Sequence, residues 1–282
     1  MKGCGSGAPA RPRHAIDFRL AASGPIAEPL REPEGVSGVK QKLLAVLRRL
    51  TPPFVLAWRA RRLRAREHAR FRALPNSEVF SRIYEERLWG GPEGEFFSGS
   101  GSDANFGDVY VAAVHEFAAT VDARRIVDLG CGDFRIGNRV RQGFAYVGVD
   151  VVPALIAVHE RKYGNEDTRF VCLDLTTDPL PPGDVALLRQ VLQHLSNNEI
   201  LRVLKAAEQY PYLIVTEHFP ASGQLIEANR DKPHGPDIRI ADGSAVCVDL
   251  PPFNRIISRV LCEVEDTANG SIIRTVLIDQ RA

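Results

Sequence analysis

Two glycines and two carboxylates are spaced as in a nucleoside-binding site. An apolar run leads directly into Asp128-Leu-Gly130-Cys-Gly132, and a second apolar run ends at Asp150. Paired glycines make a tight turn without side-chain walls, so a ligand can approach the N–H groups of the following helix. A carboxylate at the end of the second strand accepts hydrogen bonds from ribose hydroxyls. We therefore predict that Asp128, Gly130, Gly132 and Asp150 bind a ligand with an adenosine-type group.

Two classes of cofactor share this layout. The dinucleotide fingerprint requires Gly-x-Gly-x-x-Gly, but its third glycine position is Arg135 here. A bulky charged residue would hinder close packing of the helix on the strand. The carboxylate of Asp128, just before the glycines, also suits a cationic cofactor better than a diphosphate.

The elements around these residues alternate between strand and helix. We predict strands at 125–129, 145–150, 168–173, 184–189 and 212–217, and helices between them at about 135–142, 153–163 and 197–208. This alternation is typical of an α/β fold with a doubly wound, mostly parallel sheet. Two final strands, 259–265 and 272–279, are joined by a short turn and must pair antiparallel.

Together, these features resemble the class I S-adenosylmethionine-dependent methyltransferases, whose seven-stranded sheet ends in an antiparallel hairpin. The resemblance covers roughly residues 108–282 and implies S-adenosylmethionine as cofactor. It implies that Asp174 and Leu175 contact the adenine. It also implies that Arg189 and Gln190, after the fourth strand, lie beside the methionine part and the target atom.

Candidate catalytic residues follow the later strands, where a doubly wound sheet places its site. His194 is the preferred general base because its ordinary pKa lies near neutrality. Glu217 and His218 end the fifth strand, and they either act directly or orient the cofactor. Asp231 and His234 belong to a long segment, 227–239, which is dense in titratable groups and is either a functional loop or a solvated connector. We predict no metal site.

Several motifs beyond the class pattern are similar to those of bacterial surface-polysaccharide and natural-product methyltransferases. They include Trp89-Gly-Gly and Pro251-Pro-Phe-Asn254. This similarity implies O-methylation of a saccharide or another small hydroxylated acceptor. The alternatives are a methyltransferase acting on nucleic acid or protein, and a non-catalytic binding protein of the same fold. A nucleic-acid substrate is disfavoured because the fourth strand ends in Arg189-Gln-Val191 rather than in an Asn/Asp-Pro-Pro-aromatic motif.

The amino-terminal part differs in composition from the rest of the 282-residue chain. Residues 1–75 carry a net charge of +11, and residues 76–282 carry −10. We predict a disordered tail at 1–38, a basic amphipathic helical extension at 39–75 and a methyltransferase domain at 76–282. Residues 40–74 either contact an anionic membrane surface or pack on the acidic body. Scattered cysteines and the absence of a long apolar run predict a cytoplasmic protein, with peripheral association at the inner face of the membrane as a further possibility.

Overall fold

The computed structural model describes residues 69–99, 101, 104–221, 224–266 and 270–281. The predicted tail at 1–38 and most of the basic extension at 39–75 lie outside these ranges. The described residues belong to one unit, Arg59–Ala282. In the described part of the chain, no helix is long and apolar enough to cross a membrane.

A seven-stranded sheet forms the centre of this unit, with strand order β3-β2-β1-β4-β5-β7-β6. The strands are β1 (Arg125–Leu129), β2 (Ala145–Asp150), β3 (Thr168–Cys172), β4 (Val185–Arg189), β5 (Tyr212–Pro220), β6 (Arg259–Asp266) and β7 (Ser271–Asp279). The first five pair in parallel, and β7 lies antiparallel between β5 and β6. The predicted fold class is confirmed. The strand order reverses between β1 and β4, and such sheets bind ligands at this switch point.

Helices cover both faces of the sheet. They are α1 (Asn76–Glu85), α2 (Ala104–Thr120), α3 (Gly137–Val140), α4 (Pro153–Tyr163) and α5 (Asn197–Ala206). The start of α5 is fixed by a capping box, in which Ser196 and Glu199 satisfy each other's backbone N–H groups. The prediction of a helix over 135–142 is too long. Phe134 adopts a left-handed backbone with φ of 62°, so the regular helix begins only at Gly137.

The core lies in two apolar layers, one on each face of the sheet. Val127, Leu188 and Val215 face one layer, and Ile126, Leu187 and Ile214 face the other. Strands buried on both faces must be apolar at nearly every position, and β4 and β5 have this composition. The carboxyl ends of β1, β2, β4 and β5 are therefore held rigidly along one edge.

Strand β5 runs farther than the sequence predicts, to Pro220 instead of residue 217. Its pairing with β4 stops at Thr216, opposite Arg189, while its pairing with β7 continues to Pro220. Residues 217–220 thus project beyond the end of β4. Because side chains alternate along a strand, Glu217 and His218 point to opposite faces of the sheet.

Candidate functional site

A cavity of about 590 Å³ lies over the carboxyl ends of β1, β2 and β4 and reaches the projecting end of β5. This volume falls within the range of small-molecule and cofactor sites. All eight residues predicted to bind the cofactor line it: Asp128, Gly130, Gly132, Asp150, Asp174, Leu175, Arg189 and Gln190. Further wall residues come from helix α1 and from residues 88–99 and 101, here called the strap; among them are Asn76, Tyr84, Trp89 and Ser98.

The turn after β1 requires both of its glycines. Gly130 and Gly132 have φ of 87° and 51°, a region that other residues rarely adopt. A Cβ atom on Gly130 would lie 2.4 Å from the side chain of Val191. A Cβ atom on Gly132 would lie 2.5 Å from the Ser98 hydroxyl. The turn is therefore packed closely from two sides, and its backbone is exposed to whatever fills the cavity.

Asp150 is held by two backbone N–H groups. Gly132 donates to its Oδ2 atom at 3.0 Å, and Val152 donates to its Oδ1 atom at 3.2 Å. Burial raises the pKa of Asp150, and these two hydrogen bonds oppose the shift. An ionised carboxylate has about four acceptor positions, so two remain for hydroxyl groups. That is the number that a ribose 2′- and 3′-diol needs.

Asp128 lies near the end of β1 and lines the cavity. The Tyr146 hydroxyl donates to its Oδ2 atom at 2.5 Å. Burial raises the pKa of Asp128 to about 6, while Tyr146 and Arg189 oppose the shift. The carboxyl is therefore mostly ionised at neutral pH, and it gives the cavity a negative charge that suits a cationic ligand.

Arg189 and Gln190 leave the end of β4 in different directions. The Arg189 guanidinium donates to the carbonyl of Gly101 in the strap and lies 5.2 Å from the centre of the Tyr110 ring. Gln190 has a positive φ of 55°, and its backbone N–H donates to the backbone carbonyl of Thr216 at 2.7 Å. Arg189 thus holds the strap, and Gln190 holds the turn after β4 against β5. Both residues line the cavity.

Asn76 joins helix α1 to Asp174, a contact that sequence reasoning missed. Its Nδ2 atom lies 3.3 and 3.2 Å from the two carboxylate oxygens of Asp174 and 3.4 Å from the Thr176 hydroxyl. Thr176 also donates to Asp174 through its backbone and its hydroxyl. Asp174 is thus held in place at the predicted adenine end. No local signal marked Asn76, because it lies 98 residues before its partner.

The strap is closed over the glycine turn by a pair of reciprocal hydrogen bonds. Ser98 donates its backbone N–H to Asp133 at 3.0 Å, and Asp133 donates its backbone N–H to the Ser98 hydroxyl at 2.8 Å. The same hydroxyl lies 2.8 Å from the hydroxyl of Tyr84. Farther along, the Trp89 indole donates to the carbonyl of Pro236 at 3.0 Å. The Gly/Ser-rich composition indicated a loop, but it did not identify these partners.

His194 lines the cavity in the 3-10 turn Leu192–His194, after β4. Its Nδ1 atom lies 3.3 Å from the carbonyl of Gly235, and its Nε2 atom lies 3.5 Å from the amide nitrogen of Gln193. The ring of Trp89 lies 5.0 Å away. Burial lowers the pKa of His194 to about 3. The imidazole is neutral at pH 7, and it accepts a proton only weakly.

Glu217 and His218 do not share a wall. His218 lines the cavity, with its Nε2 atom 2.7 Å from the Ser271 hydroxyl. Glu217 faces the opposite layer, where its carboxyl accepts the Leu192 N–H at 3.0 Å. Burial raises the pKa of Glu217 to about 8, so it is mostly protonated at neutral pH. The structure therefore places Glu217 beneath the turn that carries His194, outside the cavity lining.

Asp231 and His234 also lie outside the cavity lining. Asp231 accepts the backbone N–H of Asn197 at 2.8 Å, at the start of α5. His234 bridges Glu199 at 2.7 Å and the carbonyl of Phe71 at 3.0 Å, so both of its ring nitrogens have partners. These contacts hold the long segment 227–239 against α5. The part of this region that reaches the cavity is Pro236–Ile238 together with Ile240.

A protein-family model described as a methyltransferase domain matches residues 127–209, from β1 to the end of α5 and the turn that follows. None of the curated proteins matches the sequence. Among solved structures, the chain is similar to the N-methyltransferase NodS from Bradyrhizobium japonicum WM9 with S-adenosyl-L-homocysteine. The two chains are 11% identical, the comparison covers 71% of this chain and 99% of NodS, and the TM-score is 0.48.

Two further solved structures are similar at the same level. Human N-acetylserotonin methyltransferase in complex with SAM has 15% identity, a coverage of 75% of this chain and 61% of the other, and a TM-score of 0.46. This chain thus spans about three-fifths of the human protein. The N-terminal domain of EvdMO1 in the presence of SAH and D-fucose has 17% identity, a coverage of 74% and 98%, and a TM-score of 0.45.

The cavity meets the requirements of S-adenosylmethionine at each point that the structure describes. The glycine turn admits close approach, Asp150 offers two acceptor positions to a ribose diol, and the buried Asp128 carboxylate favours a cation. Asp174 and Leu175 line the same cavity where the resemblance places the adenine. Residues 127–209 thus match a methyltransferase-domain model, and the residues that line the cavity fit S-adenosylmethionine.

Proposed function

We propose that the chain transfers the methyl group of S-adenosylmethionine to a hydroxyl oxygen of a small acceptor such as a saccharide. One observation carries this proposal: the cavity continues past the cofactor-binding residues to a wall of polar side chains at the ends of β4 and β5. Gln193, His194, His218 and Asp237 contribute to that wall. Imidazole and amide groups that are uncharged at neutral pH are suited to hydrogen-bonding with hydroxyl groups.

Aromatic rings beside this wall support a ring-shaped or apolar acceptor face. Trp89 lies 5.0 Å from His194 and 6.2 Å from Phe80, and all three residues line the cavity. Aromatic surfaces pack well against the apolar face of a sugar or another cyclic molecule. Residues of the strap and of α1 form part of the cavity wall. A partly covered cavity favours a small acceptor over a nucleic-acid duplex, which is too wide to enter it.

In the mechanism, the residues of this chain position the reactants and exclude water. When bound, S-adenosylmethionine supplies an electrophilic methyl group. Asp150 and Asp174 orient its nucleoside end, while the Asp128 carboxylate stabilises positive charge nearby. The strap is fastened over the glycine turn through Ser98 and Asp133, where it would limit the access of water to the reactants. In-line displacement depends on such positioning, and a hydroxyl acceptor also requires a proton acceptor.

The rival functions lead to different binding and turnover. A methyltransferase of nucleic acid or protein would bind the cofactor but transfer methyl groups only to a macromolecule. A non-catalytic relative would bind the cofactor, or nothing, without turnover. An oxidoreductase would bind NAD.

We would test the proposal in two steps with the full-length protein. Calorimetric titration with S-adenosylmethionine, S-adenosylhomocysteine and NAD is expected to detect micromolar binding of the first two and none of NAD. Formation of S-adenosylhomocysteine would then be followed with methyl glycosides, amino sugars, sugar phosphates and phenols, with transfer RNA and duplex DNA as rival acceptors. Turnover with a nucleic acid and with none of the small acceptors would contradict the proposal.

A further inference from the structure

A carboxylate–imidazole pair lines the far end of the cavity: His218 was a candidate from the sequence, whereas its partner Asp266 was not. His218 on β5 has its Nε2 atom 2.7 Å from the Ser271 hydroxyl and 3.5 Å from Oδ2 of Asp266. The Ser271 hydroxyl in turn donates to the same Asp266 oxygen at 3.4 Å. The side chains of His218 and Asp266 are 8% and 6% exposed, and both residues line the cavity.

These contacts favour one tautomer of the neutral His218 ring. A carboxylate only accepts hydrogen bonds, and the Ser271 hydroxyl donates its own proton to Asp266. With Ser271 donating to Asp266, Nε2 is the nitrogen that carries the proton and donates to Ser271. Nδ1 is left unprotonated, with no hydrogen-bond partner among the described residues. It is also not among the buried side-chain atoms that lack a hydrogen-bond partner.

The location of His218 is that of a group that meets an acceptor. Thr216 of β5 pairs with Arg189, the last residue of β4, and His218 lies two residues farther along β5. His218 therefore projects past the carboxyl end of β4, beside which the cofactor-binding residues lie. Arg189, at the end of β4, lines the same cavity. Asp266 at the end of β6 and Ser271 at the start of β7 contact the imidazole, and Ile273 is its register partner on β7.

The two cavity histidines differ in their suitability as a base. His194 is held by the carbonyl of Gly235 and faces the amide of Gln193, and burial lowers its pKa to about 3. Burial also lowers the pKa of His218, but the Asp266 carboxylate opposes this change. A carboxylate behind an imidazole fixes its tautomer and stabilises the imidazolium form.

We propose that His218, positioned by Asp266 and Ser271, is the proton acceptor for the hydroxyl group that is methylated. The inference rests on the proposed O-methylation. The acceptor O–H bond breaks, and its proton moves to Nδ1 of His218. The oxygen uses an electron pair to form the new bond to the methyl carbon, while the methyl–sulfur bond breaks and its pair remains on sulfur. The imidazolium, stabilised by Asp266, later releases its proton to water.

The first experiment needs no acceptor. The full-length protein labelled with ¹⁵N-histidine and saturated with S-adenosylhomocysteine is titrated by NMR, and the His218 signals are assigned from their loss in His218→Gln. At pH 8 the expected result is a neutral ring with the proton on Nε2 and none on Nδ1. Asp266→Asn is expected to lower the pKa of His218 by about one unit. A proton on Nδ1, or a pKa unchanged in Asp266→Asn, would overturn the proposal.

The second experiment measures single-turnover methyl transfer to whichever small acceptor the panel identifies. His218→Gln is expected to slow the transfer by 100-fold or more, the usual contribution of a general base. Its affinity for S-adenosylhomocysteine is expected to stay within twofold. Asp266→Asn is expected to give an intermediate rate and to shift the pH dependence of that rate toward lower pH. The matched control is His115→Gln, because His115 contacts the Val140 carbonyl and the Phe144 ring and does not line the cavity.

The outcomes separate this inference from the proposed function. Retention of transfer in His218→Gln to within threefold would overturn the role of His218. Loss in His194→Gln with retention in His218→Gln would assign the base to His194 instead. If the wild-type protein binds S-adenosylhomocysteine but methylates no hydroxyl acceptor, the proposed function fails, and with it the base role of His218. The NMR titration would then still decide whether the pair exists as described.

Discussion

Replacing Asp150 by alanine tests where the ribose binds. Its carboxylate accepts hydrogen bonds from the N–H groups of Gly132 and Val152, at 3.0 and 3.2 Å, and has two further acceptor positions. A hydrogen bond to a charged group contributes about 1.5–3 kcal/mol. If the ribose diol uses both free positions, about 3–6 kcal/mol is lost when the contributions add. Bonds within one network add incompletely, so we expect a loss of about 3 kcal/mol, which is roughly 100-fold in the dissociation constant.

The assay is calorimetric titration of Asp150→Ala with S-adenosylhomocysteine and with its 2′-deoxy analogue. The wild-type protein should bind the analogue more weakly than the parent compound, whereas Asp150→Ala should bind both with nearly equal affinity. Asp150→Asn keeps a neutral acceptor oxygen and should bind with intermediate affinity. The control is Asp167→Asn, because Asp167 is an exposed carboxylate.

A change in fold must be separated from a change in binding. The alanine variant also loses the acceptors for two backbone N–H groups, so its thermal unfolding should be measured without ligand. The reasoning is refuted if a folded Asp150→Ala protein binds S-adenosylhomocysteine within threefold of the wild-type affinity. It is also refuted if both proteins discriminate equally against the 2′-deoxy analogue.

Four other predictions concern cofactor binding, stability and the basic amino-terminal segment. Because the pKa of Asp128 is raised to about 6, S-adenosylmethionine affinity should increase as pH rises through 6, and Asp128→Asn should bind weakly without this dependence in calorimetry. The pKa of Glu217, about 8, lies above its ordinary value, so the folded protein holds a proton that the unfolded chain has lost. The free energy of unfolding should therefore fall as pH rises toward 8, and urea denaturation should find Glu217→Gln more stable than the wild type at pH 8.5. Asn76→Ala, which leaves Asp174 without its donor from α1, should bind S-adenosylhomocysteine about tenfold more weakly. We propose that residues 40–74 contact anionic membranes. Four arginines, Arg59, Arg61, Arg62 and Arg64, are replaced together by glutamine. This variant should sediment less with phosphatidylserine vesicles than the wild type does, and its sedimentation with neutral vesicles should be unchanged.

The sequence predicted the fold because its strands are buried on both faces. Apolar runs at 125–129 and 185–189 alternate with amphipathic segments, and a buried parallel sheet leaves little freedom in this pattern. The cofactor side of the cavity was predictable for a related reason. Its residues lie within a few positions of strand ends, so local spacing determines where they stand, and all eight line the cavity.

The catalytic side could not be predicted in the same way. Glu217 and His218 are neighbours in sequence, but β5 continues through them, so strand alternation sends one into the cavity and the other behind it. Asp231 and His234 are polar and clustered, yet their partners are the start of α5 and the carbonyl of Phe71, 163 residues away.

What only the tertiary structure decided is which distant groups meet. Ser271 and Asp266 reach His218 because β7 lies antiparallel between β5 and β6, and Asn76 reaches Asp174 because α1 crosses the cavity. The sequence by itself determined the α/β architecture and the glycine turn, since these depend on local periodicity and backbone geometry. The tautomer of His218 and the weak basicity of His194 depend on burial and on partners brought together by folding, and no local pattern encodes them.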